Sequence, residues 1–223
     1  LHDALPISNV KGMNNMFAND SSLTTLDVSK FDTSNVSDMT AMFERMTNLE
    51  YLNLLSFDTP NVESMTAMFN GDKNLKFVNL NSFDTPNVKS MSAMFYGCES
   101  MERLDISDFD TSNVTNMSMM FGNMYNLTDL KLGDFFNTFN VTDISYMFVV
   151  DKSLKTLDIS MFNTANVKNM NSMFAAMENI ETIYVGNKWN VSHVTNDSFM
   201  FLGDTKLVGG AGTIYNSSYT DKI

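Results

Sequence analysis

Residues 49–74 read LEYLNLLSFDTPNVESMTAMFNGDKN, and two periodicities follow one another within that stretch. Leu52 and Leu54 alternate with Tyr51 and Asn53, the period of two that marks a half-buried strand. After FDTPNV, Met65, Met68 and Phe69 fall at i, i+3 and i+4, the spacing of one helical face. Ser64 stands just before the first of them, in a position that suits a helix N-cap. The stretch therefore predicts one short strand followed by one short helix.

The same pattern extends in both directions. The Met-Phe dipeptide recurs with Phe17, Phe43, Phe69, Phe95, Phe121, Phe148, Phe174 and Phe201, at spacings of 26, 26, 26, 26, 27, 26 and 27. Val10, Val36, Val62, Val88, Val114, Val141, Val167 and Val194 each precede one of those Phe by seven residues. The expected N-cap column is Gly12, Asp38, Ser64, Ser90, Asn116, Asp143, Asn169 and Asn196, all cap-forming types. Two residues past each Phe stand Asn19, Arg45, Gly71, Gly97, Asn123, Val150, Ala176 and Gly203, a column rich in the Gly and Asn that accept a left-handed turn. Helices this short are unstable alone, so the units are expected to fold only as a stacked array. The repeats cover residues 9–208, between a non-repeat segment at 1–8, read as a fragment of a longer frame or a cloning remnant, and a post-repeat segment at 209–223.

Charge and composition narrow the function. Twenty-six acidic against 14 basic side chains give a net charge of −12, which repels phosphate backbones and argues against nucleic acid as a partner. No apolar run reaches the roughly 18 residues that a membrane span needs, so no direct membrane insertion is expected of this segment. The single Cys98 cannot form an intrachain disulfide.

Each candidate for chemistry occupies an ordinary repeat slot. Cys98 and His193 are about four stacking steps apart, roughly 19 Å, too far to act as a pair, and no catalysis is expected. Asp32, Asp58, Asp84 and Asp110 line up as a possible calcium stripe, yet Asp beside Thr and Ser more commonly bonds its own turn; no cofactor or metal is expected. The column Asn9, Asn35, Asn61, Asn87, Asn113, Asn140 and Asn166, with His193 last, is read as a buried ladder satisfying turn carbonyls and amides. The Met columns, for example Met39 with Met42, are read as core. Two irregularities stand out: Phe135 adds one residue, and the last unit reads WNVSHV at residues 189–194 in place of FDTSNV.

Units such as LTTLDVSKFDTSNVSDMTAMF and MERLDISDFDTSNVTNMSMMF resemble the repeat of BspA-like leucine-rich-repeat surface proteins of host-associated bacteria. The segment Leu207-Val208-Gly209-Gly210-Ala211-Gly212-Thr213 is similar to that family's sequence after its last repeat. The fold class expected is thus an α/β repeat solenoid, leucine-rich-repeat-like, with one short parallel strand and one short helix per turn over about eight turns. The resemblance implies secretion or display at a bacterial cell surface, and adhesion to a host extracellular-matrix protein, a cell-surface protein or a glycan.

Recognition belongs in the columns that change between units on the outward strand face. The candidates are Tyr51, Asn53, Phe77, Asn79, Arg103, Asp105, Asp129, Lys131 and Tyr184, with Leu55 beside them. The competing reading is a structural spacer or stalk with no ligand of its own.

Overall fold

Tyr51–Asn53 (β1), Phe77–Asn79 (β2), Arg103–Asp105 (β3), Asp129–Lys131 (β4), Thr156–Ile159 (β5) and Thr182–Val185 (β6) form where the period-two alternation placed strands. In a computed structural model of the protein, which describes residues 9–208 and 215–217, they pair in parallel as β1–β2, β3–β4 and β5–β6. The register equates like positions of neighbouring repeats, with Tyr51 opposite Phe77, Arg103 opposite Asp129 and Asp158 opposite Tyr184. A second line of contact runs unbroken through the stack as single-residue parallel bridges, from Gly12 with Asp38 to Asn169 with Asn196.

The expected helix is absent: among the described residues no α-helix forms, and the α/β assignment is corrected to short strands and turns. The backbone hydrogen bonds supply the reason. In a helix the Phe43 amide would donate to the Met39 carbonyl. Here Met39 O instead accepts from Met42 N at 3.2 Å, closing a tight turn, while Phe43 N donates to Met68 O of the next repeat at 3.0 Å. Met39, Ala41 and Arg45 likewise donate outward, to Ser64, Thr66 and Asn70. Ala41 and Arg45 have φ of 53° and 58°, the sign required at the third position of the turns from Met39 to Met42 and from Phe43 to Met46. Four amides per unit thus leave the chain's own turn and hold the neighbouring unit, from Met13 onto Asp38 through to Ala176 onto Leu202.

The apolar spacing that suggested a helix is satisfied by the turns. Met39, Met42 and Phe43 are fully buried, as are Met65, Met68 and Phe69. The Met columns are core, as read from the sequence. Phe17, Phe43, Phe69, Phe95, Phe121, Phe148, Phe174 and Phe201 stack along the interior with centroids 5.4–6.2 Å apart. A second file runs beside it through Phe31, Phe57, Phe83 and Phe109, continues as Phe136 on Phe162, and is followed by Trp189 against Phe174. Offset stacking of this kind adds about 0.5–1.5 kcal/mol per pair beyond area burial.

The expected N-cap column is the bridge column, and its side chains still cap. Asp38, Asn116 and Asp143 accept the amides of Thr40, Ser118 and Ser145 through Oδ1, but a turn follows where a helix was expected. Left-handed geometry occurs at all eight positions of the Gly/Asn column, Arg45, Val150 and Ala176 included.

The Asn ladder exists but lies at the surface. Asn61, Asn87, Asn113, Asn140 and Asn166 donate through Nδ2 to the preceding repeat's Ser34, Pro60, Pro86, Ser112 and Phe139 carbonyls, yet each of these Asn is exposed. The buried ladder is the Thr of FDT. Thr33 and Thr59 each donate to the carbonyl and accept the amide of the next repeat's Asp58 or Asp84. Thr111, Thr138 and Thr164 repeat the arrangement on Asn137, Asn163 and Asn190. The inserted Phe135 is pushed out to 66% exposure while Phe136 keeps the core slot.

Two measurements test this reading of the stack. Replacing Thr59 by Val preserves shape but strands both backbone groups of Asp84, at about 1–3 kcal/mol for each buried group left unmatched. Partial hydration brings the expected loss to about 2 kcal/mol in urea unfolding, and Thr59→Ser restores most of it. The glycines divide similarly. A Cβ on Gly133 would stand 2.1 Å from Ser107 O, whereas one on Gly97 meets nothing nearer than 3.5 Å. Gly97→Ala should lower the thermal midpoint by about 2–8 °C, the left-handed cost alone, and Gly133→Ala by at least three times as much as Gly97→Ala. Equal shifts for the two would contradict the close packing at Ser107.

Candidate functional site

Strands three or four residues long fix side-chain direction simply: the central residue points in and its neighbours point out. Leu52, Val78 and Leu104 are buried, and Leu130 is partly so. Tyr51, Asn53, Phe77, Arg103, Asp105, Asp129, Lys131 and Tyr184 are all exposed, and Asn79 is half-buried. Eight of the nine sequence-selected positions thus lie at the outer surface of the strand side. Leu55 projects beside them at 53% exposure.

Parallel pairing brings some of these together and separates others. Tyr51 sits opposite Phe77 and Asn53 opposite Asn79, so two aromatic rings and two amides share the β1–β2 pair. Tyr51 is 61% and Phe77 52% exposed, so two aromatic rings lie side by side at the surface. Arg103 opposes Asp129 and Asp105 opposes Lys131 on β3–β4. Tyr184 lies far along the stack on β6, opposite Asp158, and does not join the Tyr51–Phe77 pair.

Between these two pairs the strand ladder is interrupted, since β2 and β3 belong to different sheets. A shallow, open notch of about 310 Å³ lies at this joint, lined by Lys76, Phe77, Ser100, Glu102 and Arg103. Lys76, Ser100 and Glu102 were missed in the sequence. Their positions just before β2 and β3 hold no exceptional residue type, and only the interrupted pairing makes them walls.

Ion pairs order the charges around the notch. Lys76 Nζ donates to Glu50 at 2.7 Å, and this bond raises the lysine's pKa. Lys131 reaches Asp105 at 3.2 Å. The Asp105 carboxyl is held below its ordinary value first by the Ser107 hydroxyl, with the Ser107 amide and Lys131 assisting. Arg103 makes no ion pair within 4.0 Å among the described residues, although the chain is acidic overall.

The acidic column and the cysteine show ordinary structural chemistry. Asp32 accepts the Ser34 amide and hydroxyl, and Asp110 the Ser112 amide. Among the described residues no three His, Cys, Asp or Glu side chains converge as a metal site would need. Cys98 is buried, donates to Phe69 O at 3.2 Å, and burial pushes its thiol well above the ordinary value, which makes it a poor nucleophile. His193 contacts Ser192 locally.

The family described as "Mycoplasma protein of unknown function, DUF285" matches residues 3–76, 45–135 and 126–221, which together span nearly the whole chain. The chain belongs to the DUF285 family. The three matches together take in every repeat of the stack. No curated protein matches it. Among solved structures, the functional domain of InlJ from Listeria monocytogenes, which includes a cysteine ladder, aligns at 13% identity with a TM-score of 0.26. The alignment covers 83% of this DUF285 chain and 50% of the InlJ chain, so it spans half the length of that structure.

Proposed function

We propose that this chain is an extracellular binding region of a bacterial surface protein, adhesin-like, and that it contacts a host or neighbouring-cell protein or glycan through its outward strand face. The observation that carries the reading is the adjacent pair Tyr51 and Phe77, both more than half exposed and in register on β1 and β2. Aromatic side chains offer large contact area at low entropic cost and dominate binding surfaces for that reason. Asn53 and Asn79 flank them, and Arg103 supplies a guanidinium fork at the edge of the notch.

The resemblance of the repeat to BspA-like surface proteins supports display outside the cell. The chemistry supports binding rather than catalysis, because Cys98 is buried and His193 lies elsewhere on the chain. Among the described residues no helix is long and apolar enough to cross a membrane.

The test is binding of the purified chain to arrays of extracellular-matrix proteins and glycans, beside a Tyr51→Ala, Phe77→Ala, Arg103→Ala variant. Exposed substitutions of this kind change stability by about 0.5 kcal/mol or less each, so the variant should stay folded. Loss of two central anchors worth about 2 kcal/mol each corresponds to roughly a thousandfold weaker binding. Binding that survives unchanged in the folded variant removes the strand face from the reading. A parent chain that binds nothing on the arrays overturns adhesion in favour of a spacer.

A further inference from the structure

The slot three residues past each Met-Phe pair reads Asp20, Met46, Asp72, Cys98, Met124, Asp151, Met177 and Asp204. Three of its carboxyls are sealed inside the stack, since Asp72, Asp151 and Asp204 have no exposed surface. Each accepts, through Oδ1, the backbone amide of the same slot in the preceding repeat: Met46 at 2.8 Å, Met124 at 2.9 Å and Met177 at 2.8 Å. In all three the second oxygen, Oδ2, is buried without a partner among the described residues. Such an environment stabilises no anion, because a desolvated carboxylate needs a cation or several donors.

Among the described residues the surroundings supply no cation. Glu44 is the charged group whose field reaches Asp72, and it disfavours ionisation there, while Cys98 lies on the other side as a neutral thiol. Lys73 is engaged with Glu99, and Arg45 with Glu44. Among the described residues no charged group acts on Asp151 or Asp204, where burial is opposed by the single amide bond. Lys152, beside Asp151, pairs outward with Glu178, and Lys206, near Asp204, bonds Asn179.

We propose that Asp72, Asp151 and Asp204 form a pH-responsive column: the folded stack holds all three as neutral acids, and its joints weaken as rising pH favours their ionisation. Burial, the dominant cause, moves Asp72 from 3.8 to about 8, Asp204 from 3.8 to about 7, and Asp151 well above its ordinary value. Between about pH 4 and 7 the folded chain keeps protons that the unfolded chain has released. Stability is therefore full below the unfolded value and lost as pH rises towards the folded one. Each such carboxyl costs up to tenfold in the folding constant per pH unit, so three acting together cost up to a thousandfold. Asp27, Asp32, Asp105 and Asp158 shift the opposite way, their carboxyls lowered by serine donors. Their stabilisation is lost only as pH falls below about 4, outside this window.

The Met46–Asp72 joint lies just before the two strands that carry Tyr51 and Phe77. Under the binding reading above, on which this one consequence rests, the platform is firmest in mildly acidic surroundings and loosens towards alkaline ones.

The experiment is urea unfolding of the intact chain from pH 4.5 to 7, beside an Asp72→Asn, Asp151→Asn, Asp204→Asn variant. Asn keeps the Oδ1 acceptor and the volume but cannot ionise. The parent should lose at least a hundredfold in folding constant per pH unit, and the variant less than tenfold. A parent that is flat or gains stability over this range overturns the proposal, as does a variant that retains the parent's slope. Infrared spectroscopy of the folded parent at pH 6.5 covers the case of a variant that fails to fold. Surface carboxyls are ionised there, so a protonated-carboxyl band is expected, and its absence equally overturns the proposal. Neither readout needs a ligand, so both outcomes stand apart from whether the strand face binds anything.

Discussion

Everything in this fold depends on where the amides of Met39, Ala41, Phe43 and Arg45, and their counterparts in the other units, send their hydrogen bonds. Four donors per unit reach carbonyls of the following unit, so the turn segment has no closed hydrogen-bond set of its own. A single repeat would leave these groups to water while ordering its full length, and chain entropy of about 1–2 kcal/mol per residue would prevail. With a neighbour in place, the same groups are satisfied and the Met and Phe side chains behind them are buried at once. Cooperativity between repeats is thus built into the backbone as well as the core, which is the nearest-neighbour coupling expected of stacked-repeat proteins.

The ladder also explains a backbone cost the protein carries throughout. Among the described residues thirteen non-glycine residues have φ between 50° and 65°, including Val150, Tyr146 and Phe199. Such geometry costs an ordinary residue about 1–2 kcal/mol. It is imposed because alternate peptide groups must face the neighbouring unit while those between them close turns. A helix avoids the strain but turns the same amides inward, and the neighbouring repeat's carbonyls would then go unmatched.

The sequence disclosed the period, the strands and the outward columns because those depend on local alternation and direct counting. Tyr51, Phe77 and Arg103 lie on the surface where alternation put them. The turn segment was misread because Met65, Met68 and Phe69 fit both a helical face and a pair of linked turns, and apolar spacing cannot separate the two. Ala67 was the residue to decide it, since its φ of 55° breaks the helix, but Ala is the best helix former and signals the reverse. The Asn and Thr ladders exchanged roles for a related reason. Both columns are polar and regular, and only packing shows that Thr59 is enclosed while Asn61 is open to solvent. The notch at the β2–β3 joint left no trace, because it arises from an interrupted pairing rather than from a residue type.

The interrupted order of Asp and Met in the buried column follows from the same ladder. A carboxyl there stabilises the fold only by accepting the amide of the preceding repeat, and Met46, Met124 and Met177 offer theirs. Two Asp in adjacent repeats would stand one stacking step apart, about 5 Å, with each disfavouring the other's ionisation in a site that already resists charge. No two Asp in the column are neighbours, and Cys98 follows Asp72 in place of another acid. The unbranched Met46, Met124 and Met177 side chains of the same slot are fully buried. The departures from uniformity in this interior column thus sit where repeats stack, whereas those on the strand face, where Tyr51 gives way to Phe77, Arg103 and Asp129, lie at the exposed surface.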